Sequence, residues 1–244
     1  MGGVNLLLLS PHELAPDGTA HLTGRRHQHA RDVLRVQAHE TLKVGVRGGS
    51  CGTATVVSEG ADGLRLKVEL GAPPPPRAGV DLVLAIPRPK ALKRVIPAVA
   101  SLGVGRVVLV NAARVEKSYF DSKVLAPQFL DELIDLGLEQ ARDTVPPVIE
   151  VRERFKPFVE DELEQWASGA KCFLPHPAAH TPVHAAPRDQ RLVLAIGPDG
   201  GWVPFEVALL EAHGFAPISL GPRILRVEVA IPAIIAALRP LLGG

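Results

Sequence analysis

Cysteine is nearly absent: Cys51 and Cys172 are the only two in 244 residues. Two are too few for a disulfide scaffold or a cysteine-rich zinc site, and they fit a reduced, cytoplasmic setting in which both fill space. Long apolar runs are missing as well. No window approaches the roughly eighteen uncharged apolar residues of a membrane span. The apolar run Val4 to Leu9 has no basic flank, so it reads as a first strand rather than a signal peptide. Net charge is also small, with 27 Lys and Arg against 26 Asp and Glu leaving +1. That sum argues at first against a nucleic-acid partner, but a sum cannot report a patch. What is present is apolar residue, 46% of the chain. This excludes disorder throughout and suffices for one large domain or two modest ones.

Charge is unevenly distributed. Residues 85–123 carry eight basic side chains (Arg88, Lys90, Lys93, Arg94, Arg106, Arg114, Lys117, Lys123) and two acidic ones. Residues 125–166 carry four basic and eleven acidic ones. An earlier cluster holds Arg25, Arg26, Arg31 and Arg35 with His27 and His29. Such clusters suit phosphates, which basic groups position without reading sequence. The competing reading is a solvated amphipathic helix whose charges the acidic stretch answers.

Four consecutive prolines, Pro73 to Pro76, continue neither a helix nor a central strand and mark a linker over residues 73–79. Before it, residues 1–72 read as a small β-rich barrel. Thr41 to Val46 and Thr53 to Val57 are strand-like. Leu64, Leu66 and Val68 alternate with Arg65, Lys67 and Glu69, the period of a half-buried strand. Arg25 to Val36 is the helical exception. After the linker, residues 80–244 read as an α/β domain. Strands are expected at Val80 to Ile86, Arg106 to Val110, Leu192 to Ile196 and Ala216 to Leu220. Helices are expected at Ala91 to Leu102, Phe129 to Gln140, Pro204 to His213 and Val229 to Leu238, the last with Pro232 in its first turn. Alternating strands and helices imply a largely parallel sheet covered on both faces.

The sharpest local feature is Ile196-Gly197-Pro198-Asp199-Gly200-Gly201, a glycine-rich turn between an apolar strand and a helix. It lies at the carboxyl edge of the sheet, where open α/β sheets bind ligands. It is neither GxGxxG nor a Walker loop, so dinucleotide and ATP readings are weak. A second feature is Leu220-Gly221-Pro222-Arg223-Ile224-Leu225-Arg226-Val227-Glu228. Its arginines can orient a phosphate or a base while Glu228 holds one of them in place; a structural ion pair at a helix start is the plainer alternative. His176, His180 and His184 are spaced by four, but the prolines around them prevent a helix from stacking them, so no metal is expected. Trp166 and Trp202 can stack on a base or fill the core, and Trp202, beside the glycine turn, is better placed. No serine–histidine pair carries a nucleophile elbow.

In order along the chain, these residues resemble the RsmE-type 16S ribosomal RNA uridine methyltransferases of the SPOUT class. The resemblance rests on His29-Ala30-Arg31-Asp32-Val33-Leu34-Arg35, Leu102-Gly103-Val104, Arg114, Glu139-Gln140-Ala141-Arg142 and Val145-Pro146. It rests above all on the glycine turn with Glu206, and on Leu220-Gly221 with Ile224-Leu225-Arg226-Val227-Glu228-Val229-Ala230. The family pattern differs at Ser101, Asp199, Val227, Val229 and His39-Glu40; the two valines stand for threonines and remove two hydroxyls.

The resemblance implies a PUA-like N-terminal RNA-binding β-barrel and a C-terminal α/β domain with a deep trefoil knot, an exception to unknotted connections. It implies a homodimer that uses S-adenosyl-L-methionine to methylate N3 of a uridine in 16S rRNA of the 30S subunit. Ile196, Gly197, Pro198, Gly200, Gly201, Leu220, Gly221, Ile224, Leu225 and Arg226 would bind the cofactor. Arg226 or Glu228 would stabilise or accept charge at the target nitrogen. Arg25, Arg31, Arg35, Arg88, Lys90 and Arg114 would hold RNA. Two alternatives stay open: a knotted methyltransferase of another rRNA or tRNA position, and a non-catalytic RNA-binding or ribosome-assembly homologue.

Overall fold

A computed structural model describes residues 6–32, 36–184, 186–187 and 189–239. The chain divides into two compact units. The first runs to Pro76 and takes in Asp135–Pro146; the second comprises Arg77–Ile134 and the chain from Pro147 onward.

The first unit contains β1 (Leu7–Leu9), β2 (Thr19–Leu22), α1 (Gly24–Asp32), β3 (Thr41–Val46), β4 (Cys51–Gly60) and β5 (Gly63–Ala72). These strands form one five-stranded sheet in the order β1-β3-β4-β5-β2. Only β1–β3 pairs in parallel. Along β5, Leu64, Leu66 and Val68 turn inward while Arg65, Lys67 and Glu69 face solvent, as the alternation requires. They share a core with Leu9, Leu22, Leu42, Val44 and Val56.

Segment 135–146 joins this unit through specific bonds. Arg47 Nε donates to Asp135 Oδ1 at 2.8 Å, Leu6 N to the Glu139 carbonyl at 3.0 Å and Gly48 N to the Thr144 carbonyl at 2.7 Å. The Glu-Gln-Ala-Arg motif therefore ends a helix and docks it. Arg142 adopts φ +57°, and Asp143 Oδ1 accepts from Thr144 N and Val145 N, so the chain leaves the helix sharply.

The second unit contains β6 (Val80–Ala85), α2 (Pro89–Ser101), β7 (Arg106–Val110) and α3 (Pro127–Ala141), whose second half belongs to the first unit. Then come β8 (Val148–Arg152), α4 (Phe155–Pro157), a π-helical turn (Phe158–Glu162) and α5 (Leu163–Trp166). β9 (Lys171–Pro175), β10 (Leu192–Ile196), α6 (Pro204–Ala212), β11 (Phe215–Ile218) and α7 (Val227–Leu238) complete it. All five strand pairings are parallel, in the order β11-β9-β10-β6-β7-β8. β6 and β10 are buried at every residue, which matches their unbroken apolar runs in a sheet covered on both faces. Each fully buried leucine there, such as Leu84, contributes about 1.5–3 kcal/mol by leaving water.

One expectation about α7 fails. The helix begins at Val227 rather than Val229, so Pro232 lies in its interior instead of its first turn. The ring removes the bond that residue 232 would give to Glu228, and buried Ile231, Ile234 and Ile235 hold the helix by packing instead. Two buried polar groups pin the unit. Asp81, on β6, accepts from Arg106 N at 2.8 Å, Arg106 Nε at 3.1 Å and Arg191 Nε at 2.8 Å, joining β6 to the starts of β7 and β10. Burial pushes its carboxyl above the usual carboxylate range, against the pull of Arg191. Arg239, after α7, donates to the carbonyls of Ala78, Ala186, Pro187 and Gln190. No helix among the described residues is long and apolar enough to cross a membrane.

Candidate active site

The adjacency of β11, β9 and β10 brings three carboxyl ends together. Beyond β10 the chain turns through Gly197 to Gly201, beyond β9 it runs through Pro175 to Ala178, and beyond β11 it loops through Leu220 to Leu225 into α7. These segments enclose a cavity of about 360 Å³. Ligand pockets fall at roughly 300–1,000 Å³. Its walls include apolar Ile196, Leu220, Leu225, Val227 and Ala230, and much of the rest is backbone of the two glycine-bearing loops.

The glycines have steric reasons. A Cβ on Gly197 would stand 3.0 Å from Trp202 N and 3.2 Å from Trp202 Cδ1. Gly221 adopts φ +104°, a conformation that side chains rarely permit, and its N–H donates to Ser219 Oγ. Trp202 is buried, donates Nε1–H to the Ala195 carbonyl at 3.5 Å and packs against Phe155 with ring centroids 5.2 Å apart. It is a pillar beneath the turn and also part of the cavity wall. Trp166 is likewise core, with the Arg106 guanidinium 4.3 Å over its ring.

Glu206 organises the rim. It is 3% exposed, and its carboxylate accepts from Val203 N at 2.9 Å and Ala113 N at 2.7 Å. One side chain thus caps α6 and fixes the loop after β7 that carries Arg114. Arg114 donates to the Gly200 carbonyl and lines the cavity. Across the glycine turn lies a smaller recess of about 110 Å³ between Ile86, Pro87, Arg88, Arg114, Glu116, Tyr119 and Pro198 to Gly200. There Arg88 Nε pairs with Asp199 Oδ2 at 3.0 Å, and Tyr119 donates to Glu116 Oε1 at 3.0 Å.

Nine residues expected at the cofactor site, Ile196, Gly197, Pro198, Gly200, Gly201, Leu220, Gly221, Ile224 and Leu225, line the one cavity. Arg226 does not. It is exposed at the N-cap of α7, outside the lining. Glu228 is also outside the lining, and it pairs with Arg94 of α2 at 3.5 Å rather than with Arg223 or Arg226. Among the expected RNA-binding residues, Arg88 and Arg114 line the small recess and Lys90 is exposed on α2. Arg31 is exposed on α1 of the first unit, Arg25 is placed there by its backbone alone, and Arg35 lies outside the described residues.

Among the lining residues outside the expected cofactor set are four from one segment, Pro175, His176, Pro177 and Ala178. The short apolar run Cys172-Phe173-Leu174 was the available signal for the strand that presents them. His176 Nδ1 accepts from Ala178 N at 3.2 Å, and no metal-holding group of three His, Cys, Asp or Glu occurs among the described residues.

Known proteins resemble this chain along most of its length. A family model described as an RNA methyltransferase domain matches residues 74–239. The ribosomal RNA small subunit methyltransferase E of Treponema pallidum is 31% identical over 93% of this chain and 87% of its own length. A methyltransferase of Legionella pneumophila, solved with S-adenosylmethionine, is 26% identical with a TM-score of 0.71, covering 96% of each chain. The small subunit methyltransferase E of Neisseria gonorrhoeae, at 21% identity, shares the fold with a TM-score of 0.79 over 97% of this chain and 98% of its own.

The parallel sheet, the glycine turn and the loop into α7 thus define an α/β RNA methyltransferase of the SPOUT type. The chain belongs to the RNA methyltransferase domain family and, within it, to the ribosomal RNA small subunit methyltransferase E proteins.

Proposed function

We propose that this chain transfers a methyl group from S-adenosylmethionine to N3 of a uridine in 16S rRNA of the small ribosomal subunit. The observation that carries the reading is the single cavity formed by the glycine turn and the Leu220 to Leu225 loop. Its chemistry suits that cofactor: apolar walls for an adenine, backbone groups for polar edges, and at Gly197 no room for a side chain. When bound, the cofactor supplies an electrophilic methyl group on a sulfonium. Ile196, Gly197, Gly201, Leu220, Gly221 and Leu225 hold it, mainly through backbone and van der Waals contact. The protein's contribution is orientation, since a methyl acceptor held in line gains most of its advantage from positioning. Glu206 serves this by joining the start of α6 to the loop that carries Arg114.

The remaining parts of the reading have their own support. The basic side chains Arg31, Arg88, Lys90 and Arg114 serve RNA, with Arg25 and Arg35 joining them on sequence grounds. Ile224, 82% exposed, and Val229, 51% exposed, are apolar and suit contact with a second copy in a homodimer. A ribosomal substrate places the protein in the cytoplasm.

The test is methyl transfer to purified 30S particles and to naked 16S rRNA, followed by nucleoside mass spectrometry. N3-methyluridine at one position is expected. A different methylated nucleoside, or a modified transfer RNA, overturns the choice of target. RNA binding without any affinity for S-adenosylmethionine overturns the enzyme.

A further inference from the structure

The recess beside the cofactor cavity has a chemistry of its own. It shares Arg114, Pro198, Asp199 and Gly200 with that cavity, so the two adjoin across the glycine turn. Ile86, Pro87 and Pro198 give it apolar walls, and Tyr119 adds an aromatic ring. Its polar side chains are two guanidiniums, Arg88 and Arg114, and two carboxylates, Glu116 and Asp199. About 110 Å³ is the scale of one planar six-membered ring rather than a whole nucleotide.

Uracil presents an acceptor, a donor and an acceptor along one edge: O2, N3–H and O4. Two guanidiniums and two carboxylates lining one recess offer the complementary set. Arg88 uses Nε on Asp199, and its two Nη groups carry four further N–H donors. Arg114 spends Nη1 on the Gly200 carbonyl and has donors remaining on its other nitrogens. Cytosine would turn an amino donor toward one of the arginines and has no proton on N3.

We propose that this recess receives the flipped target uracil, with Arg88 and Arg114 on its two carbonyl oxygens, so that these arginines read the base rather than hold phosphates. The inference rests on the methyl-transfer reading above and deepens it. The electron balance explains why two cations are useful there. The N3–H bond breaks and the proton passes to the Glu116 carboxylate or to water. The electron pair left on N3 delocalises onto O2 and O4, where the guanidiniums stabilise it. N3 then forms the bond to the methyl carbon as the carbon–sulfur bond breaks and its electron pair stays on sulfur. Placing preorganised donors where charge develops is the strongest kind of electrostatic assistance. Taking the base out of its stack is what enzymes acting on a base edge require.

The test uses Arg88→Ala and Arg88→Lys in the full chain, because Arg88 lines the recess and not the cofactor cavity. Calorimetry should show S-adenosylmethionine affinity within twofold of the unsubstituted protein. Transfer to 16S rRNA should fall about a hundredfold for the alanine variant, with kcat losing more than KM. Raising pH should restore part of the rate. So should 16S rRNA carrying 5-fluorouridine, whose N3–H is more acidic, and it should rescue the variant more than the parent. Lysine should recover a portion, since it supplies charge without the fork. Equal losses on uridine and 5-fluorouridine substrates, or activity within threefold of the parent, overturn the proposal.

Direct binding separates this from failure of the enzymatic reading. If the unsubstituted protein methylates no 16S rRNA, saturation-transfer NMR with uridine, cytidine and N3-methyluridine monophosphates still reads the recess. Preference for uridine monophosphate that Arg88→Ala abolishes supports it, and equal binding of all three refutes it.

Discussion

Substituting Gly197 by alanine isolates the steric demand of the glycine turn. The new Cβ would lie 3.0 Å from a backbone nitrogen, 3.2 Å from Trp202 Cδ1 and 3.3 Å from the Gly201 carbonyl carbon. None of these can step aside like the end of a flexible side chain. The nitrogen belongs to the turn, and the indole is wedged against Phe155 with its N–H on the Ala195 carbonyl. Ordinary contact therefore requires the turn to open by a few tenths of an ångström. Overpacking of this kind costs about 1–3 kcal/mol. The variant without cofactor would relieve part of the strain by opening the turn, and a cofactor that needs the closed turn would restore it. At about 1.4 kcal/mol per tenfold change in affinity, the Kd for S-adenosylmethionine should rise about fivefold to a hundredfold. Isothermal titration calorimetry measures this, with thermal unfolding recorded alongside to show that the fold persists. Gly200→Ala is the control: its Cβ meets the side chain of Arg114 at 2.9 Å, which can swing away, so the change should be a few-fold at most. If Gly197→Ala binds within twofold of the parent while Gly200→Ala is impaired more, the turn is not the cradle argued here.

Three further outcomes follow from buried groups. Glu206→Ala leaves Val203 N and Ala113 N without their acceptor. It should cost about 2–4 kcal/mol in urea unfolding and lower methyl transfer more than cofactor affinity, with Gln restoring part of both; equal stability of the three proteins would refute the bracing role. Asp81→Ala removes the acceptor shared by Arg106 and Arg191. Because both arginines are about one-third exposed and keep carbonyl partners, the loss should be about 2–3 kcal/mol, below the ~3–5 of a fully buried pair. The parent's pH dependence has a defined sign. Burial raises the folded-state pKa of Asp81, so the native state holds its proton more tightly than the unfolded chain; stability falls as pH climbs from the ordinary carboxylate value through the raised one, then levels, and Asp81→Ala should lack that slope. Burial also pushes the thiols of Cys51 and Cys172 up, so both should react with iodoacetamide at pH 8 more slowly than free cysteine; faster alkylation of either would contradict that environment.

Elements bounded by clear punctuation were legible from the sequence. β10 begins and ends where its apolar run does, and β7 ends where its run does, because buried parallel strands need no polar face. β8 was missed because it lies at the sheet edge, where Glu150 and Arg152 stay partly in water and interrupt the apolar signal. β9 was missed because it ends in Pro175 and leads to Pro177, so prolines that close a strand read as a loop. The grouping of residues 135–146 with the first unit had no local sign at all. It depends on Arg47 meeting Asp135 and Gly48 meeting Thr144, partners 88 or more residues apart. The same limit hid His176 and its neighbours, whose place in the cavity follows from β9 lying between β10 and β11.

The charge pattern takes a different meaning once partners are known. The basic stretch 85–123 was expected either to face phosphates or to be answered by the acidic stretch that follows it. Three of its arginines are answered from elsewhere: Arg88 by Asp199, Arg94 by Glu228 and Arg106 by Asp81. Acidic residues of the following stretch instead pair nearby, as Glu150 and Glu162 do with Arg152, or within the first unit, as Asp135 does with Arg47. Sequence adjacency thus says little about which charges neutralise one another. Two of the three answered arginines are committed differently: Arg106 to holding strands together, Arg94 to the start of α7. Arg88, 69% exposed at its side chain and tied to a carboxylate of the glycine turn, is the one whose pairing leaves it at the mouth of a pocket. A local ion pair of this kind fixes the direction of a guanidinium before any substrate arrives, which a lone surface arginine serving phosphates would not need.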